Sequence, residues 1–109
     1  QSDSGTPKII EQAKIFMQES IEDDIRMPDV AHHLNISYTT FRHVFRKYTG
    51  LSPAQYFINL RIHRAKEMLR GTNAPVKEIS IILHFENPEY FATLFKKKTG
   101  MSPSEFRNI

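Results

Sequence analysis

The chain has no cysteine and no tryptophan among its 109 residues. Without thiols there are no disulfides, no thiolate metal sites and no cysteine nucleophile, which suits a reducing cytosol. Glycine occurs only four times and never in a phosphate-cradling run, and neither G-x-S-x-G nor H-E-x-x-H is present. Apolar stretches last only a few residues, so no span and no membrane contact are expected. Residues 1–8 are polar and no apolar core follows a basic start, so no signal peptide is read there. His32 and His33 are adjacent, about 100° apart on a helix, and His63 and His84 have no ligand-spaced partner. The expectation is a chain that is not an enzyme and needs no metal or cofactor.

What is present is charge, unevenly spread. Residues 1–37 hold three basic and seven acidic side chains; residues 38–70 hold seven and one; residues 71–109 hold five and four. The net charge of +3 is therefore concentrated in the middle of the chain. A basic middle fits a polyanion such as nucleic acid, or simply a solvated helix face.

Helical periodicity runs through the rest. Residues 1–6 read as a linker remnant, with Thr6 as cap and Pro7 opening a helix over about 7–21. Pro28 opens a short helix over 28–34, and Asn35 is expected to supply the left-handed residue of a tight turn. Ser37 caps a third helix whose Phe41, Val44, Phe45 and Tyr48 line one side. A long helix over about 53–70 carries Ile58, Ile62, Ala65 and Leu69 as its core stripe, with Gly71 as C-cap.

The sequence says one thing twice. TGLSP at 49–53 returns as TGMSP at 99–103. Gly stops one helix, Ser caps the next, Pro takes its first turn, and Gln55 or Glu105 completes a capping box. Phe41/Phe91, Phe45/Phe95 and Lys47/Lys97 repeat at the same offset of fifty. Upstream, Val30/Ile79 and Leu34/Leu83 match with a shift of one, so Pro75–Leu83 repeats the short helix and Asn87-Pro88 starts its partner. Each copy is a helix-turn-helix unit. The expected divisions are 1–6 linker, 7–50 first unit, 51–71 central helix and 72–109 second unit. A central helix of eighteen residues would span roughly 27 Å, somewhat less than one turn of B-DNA at roughly 34 Å.

The stretches FRKYTGLSPAQYFINLRIHRAKEMLRG (45–71) and EIS…HFENPEYFATLFKKKTGMSPSEFR (78–107) resemble the DNA-binding domain of AraC/XylS-type bacterial transcription regulators. The resemblance covers about residues 8–108. It implies an all-α domain of about seven helices, with two homeodomain-like helix-turn-helix subdomains joined by a linker helix. It also implies sequence-specific double-stranded DNA binding, with two recognition helices in successive major grooves. Promoter or operator DNA and RNA polymerase are the implied partners in the cytoplasm. A sensing or dimerisation domain N-terminal to this one is implied as well, this segment alone being a monomer. Asn35 and His84 stand where the family usually has turn glycines, with some strain expected at His84, and Ser80 replaces a usual Ala. A helical protein-interaction adapter and a non-specific architectural DNA binder are the competing readings.

On the first recognition helix, Thr39, Arg42, His43 and Arg46 share one side at i, i+3, i+4, i+7 spacing and are the expected base readers. Arg42 has the fork that suits guanine. Ser37, Thr40 and Lys47 are the expected phosphate contacts. On the second helix, Glu89 and Thr93 are the base-reading candidates and Lys96 and Lys97 the phosphate clamps, with Lys98 beside them. The inward residues there are Tyr90 or Phe91, Leu94 and Phe95. Arg61 and Arg64 are expected to pair with acids rather than meet DNA.

Overall fold

The computed structural model describes residues 5–109, so most of the expected linker lies outside the described residues. Seven helices and no strand occur among the described residues: α1 Thr6–Glu19, α2 Met27–His33, α3 Tyr38–Thr49, α4 Pro53–Gly71, α5 Val76–Ile82, α6 Pro88–Thr99 and α7 Pro103–Arg107. The all-α expectation holds. The chain divides into two compact units, one ending at Leu60 and the other running from Arg61 to Ile109, so the division falls inside α4.

In the first unit α1, α2 and α3 surround a core of Ile10, Ala13, Met17, Val30, Ala31, Phe41 and Phe45, which Phe57 of α4 completes. His33 lies flat on Phe16, with ring centroids 3.9 Å apart, and so fastens α2 to α1. Phe41 meets Phe45 edge-on at 5.5 Å, and Phe45 meets Tyr56 at 5.2 Å. Two expectations fail here. Tyr48 is 45% exposed rather than part of the inward side. It is the last residue but one of α3, where the helix runs into the Gly50 stop. Phe57 is buried in the first-unit core, whereas Ile58 of the expected α4 stripe is half-buried.

The second unit repeats the plan with α5, α6 and α7. Ile79, Leu83, Phe91, Phe95 and Phe106 are buried together with Ile62, Ala65 and Leu69 of α4. Phe85, Phe91, Phe95 and Phe106 form a chain of ring contacts with centroids 4.8, 5.7 and 5.5 Å apart. Truncating any of the buried phenylalanines to Ala costs about 3–5 kcal/mol. Ser80 is buried at the Ala-like position, and its hydroxyl donates to the Lys77 carbonyl at 2.8 Å, so no polar atom is stranded.

Both tight turns use the same backbone device. Asn35 and His84 sit at φ 60°, in the left-handed region. The N–H of Ile36 reaches back to the Ala31 carbonyl at 3.1 Å, and that of Phe85 to the Ser80 carbonyl at 3.0 Å. The α2 and α5 carbonyls are thereby satisfied and the chain turns sharply into α3 and α6. His84 carries the strain expected of a non-Gly residue there.

Helix starts differ slightly from expectation. Gly5, not Thr6, precedes α1. Arg26 precedes α2, placing Pro28 second rather than first, and the Asp29 carboxylate accepts the Arg26 N–H at 2.8 Å. Gly71 is the last helical residue of α4; Thr72 ends the helix by donating its N–H and hydroxyl to the Met68 carbonyl at 3.1 and 2.7 Å.

Candidate nucleic-acid interface

Each recognition-type helix is anchored at both ends. The Ser37 hydroxyl accepts the Thr40 N–H at 3.1 Å, and the Asn87 side chain accepts the Tyr90 N–H at 2.7 Å. Gly50 and Gly100 end α3 and α6 at φ 81° and 86°. The expected capping boxes are present: Ser52 with Gln55 at 3.2 Å both ways, and Ser102 with Glu105 at 2.8 and 3.1 Å.

Threonine supplies the missing half of the duplicated motif. The Thr49 hydroxyl lies 2.8 Å from the Phe45 carbonyl and accepts the Leu51 N–H at 3.1 Å. Thr99 does the same with Phe95 and Met101 at 2.8 and 3.2 Å. Its hydroxyl ties the last helical turn to the residue after the glycine. The recurrence of Thr before both glycines was the available signal.

With α3 pinned in this way, its outward side is defined. Phe41 and Phe45 are buried and Val44 is half-buried. Thr39, Arg42, His43 and Arg46 are all exposed and line one cleft of about 550 Å³. Ser52 and Pro53, where α4 begins, form its far side, and no acidic residue lines it. Ser37, Thr40 and Lys47 are exposed but lie outside the cleft lining. Tyr38 was not among the expected site residues. It is half-buried, packs against the core, and its ring lies 5.5 Å from the Arg42 guanidinium carbon. The aromatic–arginine spacing of i, i+4 was the sequence signal for it.

On α6 the inward choice resolves to Phe91, with Tyr90 43% exposed. Glu89, Thr93, Lys96, Lys97 and Lys98 are exposed, and Ala92 is half-buried. The charge here is mixed. The Glu105 carboxyl is held below the usual glutamate range by the Ser102 N–H, then by the Ser102 hydroxyl, and by the nearby charge of Lys96. Lys96 therefore has an acid beside it, whereas the corresponding position of the first unit is the neutral Gln55. Arg64 pairs with Glu67 at 3.4 Å, as expected of a linker-helix arginine.

A helix-turn-helix domain family model matches residues 30–109. The chain belongs to the AraC-type helix-turn-helix family. The transcriptional regulator ArgR of Pseudomonas aeruginosa is 30% identical over 105 residues, 96% of this chain and 32% of that protein. This AraC-type chain thus spans about a third of the length of that curated relative. An AraC-type regulator structure from Chromobacterium violaceum matches with a TM-score of 0.89 at 24% identity, over 96% of this chain and 94% of that one. The DNA-binding domain of the global transcriptional factor AdpA, solved with a target DNA, matches with a TM-score of 0.84 at 24% identity, covering 91% and 89%. At such identities the structural likeness speaks for the fold, and the family rests on the sequence match. No described helix is long and apolar enough to cross a membrane.

Proposed function

We propose that this chain is a sequence-specific double-stranded DNA-binding domain of a bacterial transcription regulator, with α3 and α6 as recognition helices in successive major grooves. The observation that carries the reading is the acid-free cleft in which Thr39, Arg42, His43 and Arg46 stand together on an AraC-type second helix. Thr39, Arg42, His43 and Arg46 read bases; Ser37, Thr40 and Lys47 hold phosphates. On α6, Glu89 and Thr93 touch bases, while Lys96 and Lys97 hold the backbone. Base specificity rests mainly on α3, because α6 offers Ala92, Thr93 and the phosphate-repelling Glu89 where α3 offers His43 and the fork of Arg42. RNA polymerase, and a sensing or dimerisation domain of the same regulator, are the protein partners of this reading. The compartment is the cytoplasm, and the segment alone is a monomer.

Selection from a random duplex pool, followed by anisotropy titration at several salt concentrations, tests it. The selected duplex should bind about 10³-fold or more tighter than a scrambled one. Arg42→Ala should cost about 1–3 kcal/mol at one base pair and relax preference there. Lys96→Ala should weaken all duplexes alike and shallow the salt slope by about one. Equal binding to both duplexes would instead mark an architectural binder, and no binding at low salt would leave a protein adapter.

A further inference from the structure

We propose that Tyr38 is a positioning residue for base reading: its core-anchored ring holds the Arg42 guanidinium at the entrance of the α3 cleft. The inference rests on the proposed DNA-binding reading and adds to it a residue that contacts no base in its own right.

The geometry comes from the helix. Tyr38 and Arg42 are four residues apart on α3 and so lie one above the other on one face. Helical side chains lean toward the N-terminus, so the long Arg42 stem runs back over the Tyr38 ring. The guanidinium carbon stands 5.5 Å from the ring centroid, within the range of a cation–π contact. Tyr38 is a firm support because it is half-buried and packs on the first-unit core, whereas Arg42 is exposed. Both line the same cleft. An exposed arginine samples many rotamers, and each must be given up when it forks onto a base. A ring that already favours one of them lowers that loss where the N-terminal part of the helix meets base edges.

The repeat supplies an internal comparison. At the offset of fifty several structural residues return: Phe41 as Phe91, Phe45 as Phe95, Gly50 as Gly100, Ser52 as Ser102 and Pro53 as Pro103. Tyr38 does not return, and neither does Arg42; Pro88 and Ala92 take their places. The two members of the pair are present together in one unit and absent together from the other.

The test measures binding to the pool-selected duplex and to its single-base-pair variants across the first half-site. Wild type, Tyr38→Phe, Tyr38→Leu, Arg42→Ala and the Tyr38→Leu/Arg42→Ala double variant are compared, with thermal scans confirming that each folds. Tyr38→Leu should lower discrimination by about two- to five-fold, at the same base pair that Arg42→Ala relaxes. Tyr38→Phe should retain it, because the ring face and not the hydroxyl does the work. In the Arg42→Ala background Tyr38→Leu should change nothing further. Equal loss on every duplex, failure of Phe to substitute, or additivity in the double variant would each overturn the proposal. If Arg42→Ala relaxes no base pair at all, the base-reading assignment itself falls and the Tyr38 role falls with it.

Discussion

Replacing Gly100 by Ala isolates a purely conformational cost. The backbone there is at φ 86°, and a Cβ added at that position meets no atom within 4 Å. No clash contributes, so the penalty is that of a left-handed L-residue, about 1–2 kcal/mol. Restricting the unfolded chain returns about 0.4–1 kcal/mol, leaving a net loss of roughly 1 kcal/mol. Gly71 lies in the same unit and is the matched control. It is the last residue of α4, its backbone stays outside the left-handed region, and its Cβ space is also empty. Ala at that position should gain about 0.5–1 kcal/mol. The two variants should therefore differ by roughly 1.5–2 kcal/mol, which for a domain of this size separates their melting temperatures by about 6–16 °C. Thermal circular dichroism with urea titration as a second probe reads this directly. If Gly100→Ala melts at or above the wild type, or both variants shift the same way, the assignment of Gly100 as a left-handed helix stop is wrong.

Thr49→Val and Thr99→Val should each destabilise by about 1–2 kcal/mol and by nearly equal amounts, since each removes the same pair of partly buried contacts; urea midpoints test the equality. Arg107→Ala should cost about 1–2 kcal/mol because the Leu69 and Thr72 carbonyls at the end of α4 lose their donors, with Arg107→Lys intermediate. Glu105 gives a pH signature. Its folded carboxyl titrates below the ordinary value of about 4.3, so its stabilisation is full above that value and is lost as pH falls through the lower, folded-state one. A carboxyl NMR titration and stability curves on the acid side check this, and Glu105→Gln should remove the dependence. The same variant removes a negative charge near the proposed phosphate-contacting lysines and should tighten binding to every duplex without changing sequence preference.

The duplicated helix stops and starts were legible because they are local. Gly50, Ser52, Pro53 and Gln55 each act within a few residues, and their repetition at 99–105 fixed the register between the copies. The left-handed position at Asn35 followed from the same logic, while that at His84 came from the family resemblance. Errors came where an outcome depends on what another element covers. Tyr48 fits the periodic stripe of α3 yet is largely exposed, and Phe57 lies off the expected α4 stripe yet is only 3% exposed. The cleft residues were legible as one side of a helix, but that α4 begins opposite them was not, since it depends on the α3–α4 corner. Tyr38 was hidden for a different reason. It is half core and half surface, and a binary inward–outward pattern has no place for such a residue.

Arg107 joins places far apart in the chain: its guanidinium bonds to Leu69 and Thr72 span 38 and 35 residues. Beside it, Arg70 lies over the Phe106 ring at 4.5 Å, so α7 closes the second unit from two sides. This sets an order of events during synthesis. At about 5–20 residues per second, some two to seven seconds separate the making of Thr72 from that of Arg107. Through that interval the end of α4 has water, not arginine, at its carbonyls, while the residues of the first unit are already made. A ribosome-stalled chain ending before Pro103, and so lacking the buried Phe106 as well as Arg107, should therefore show first-unit amides protected from exchange and second-unit amides still open.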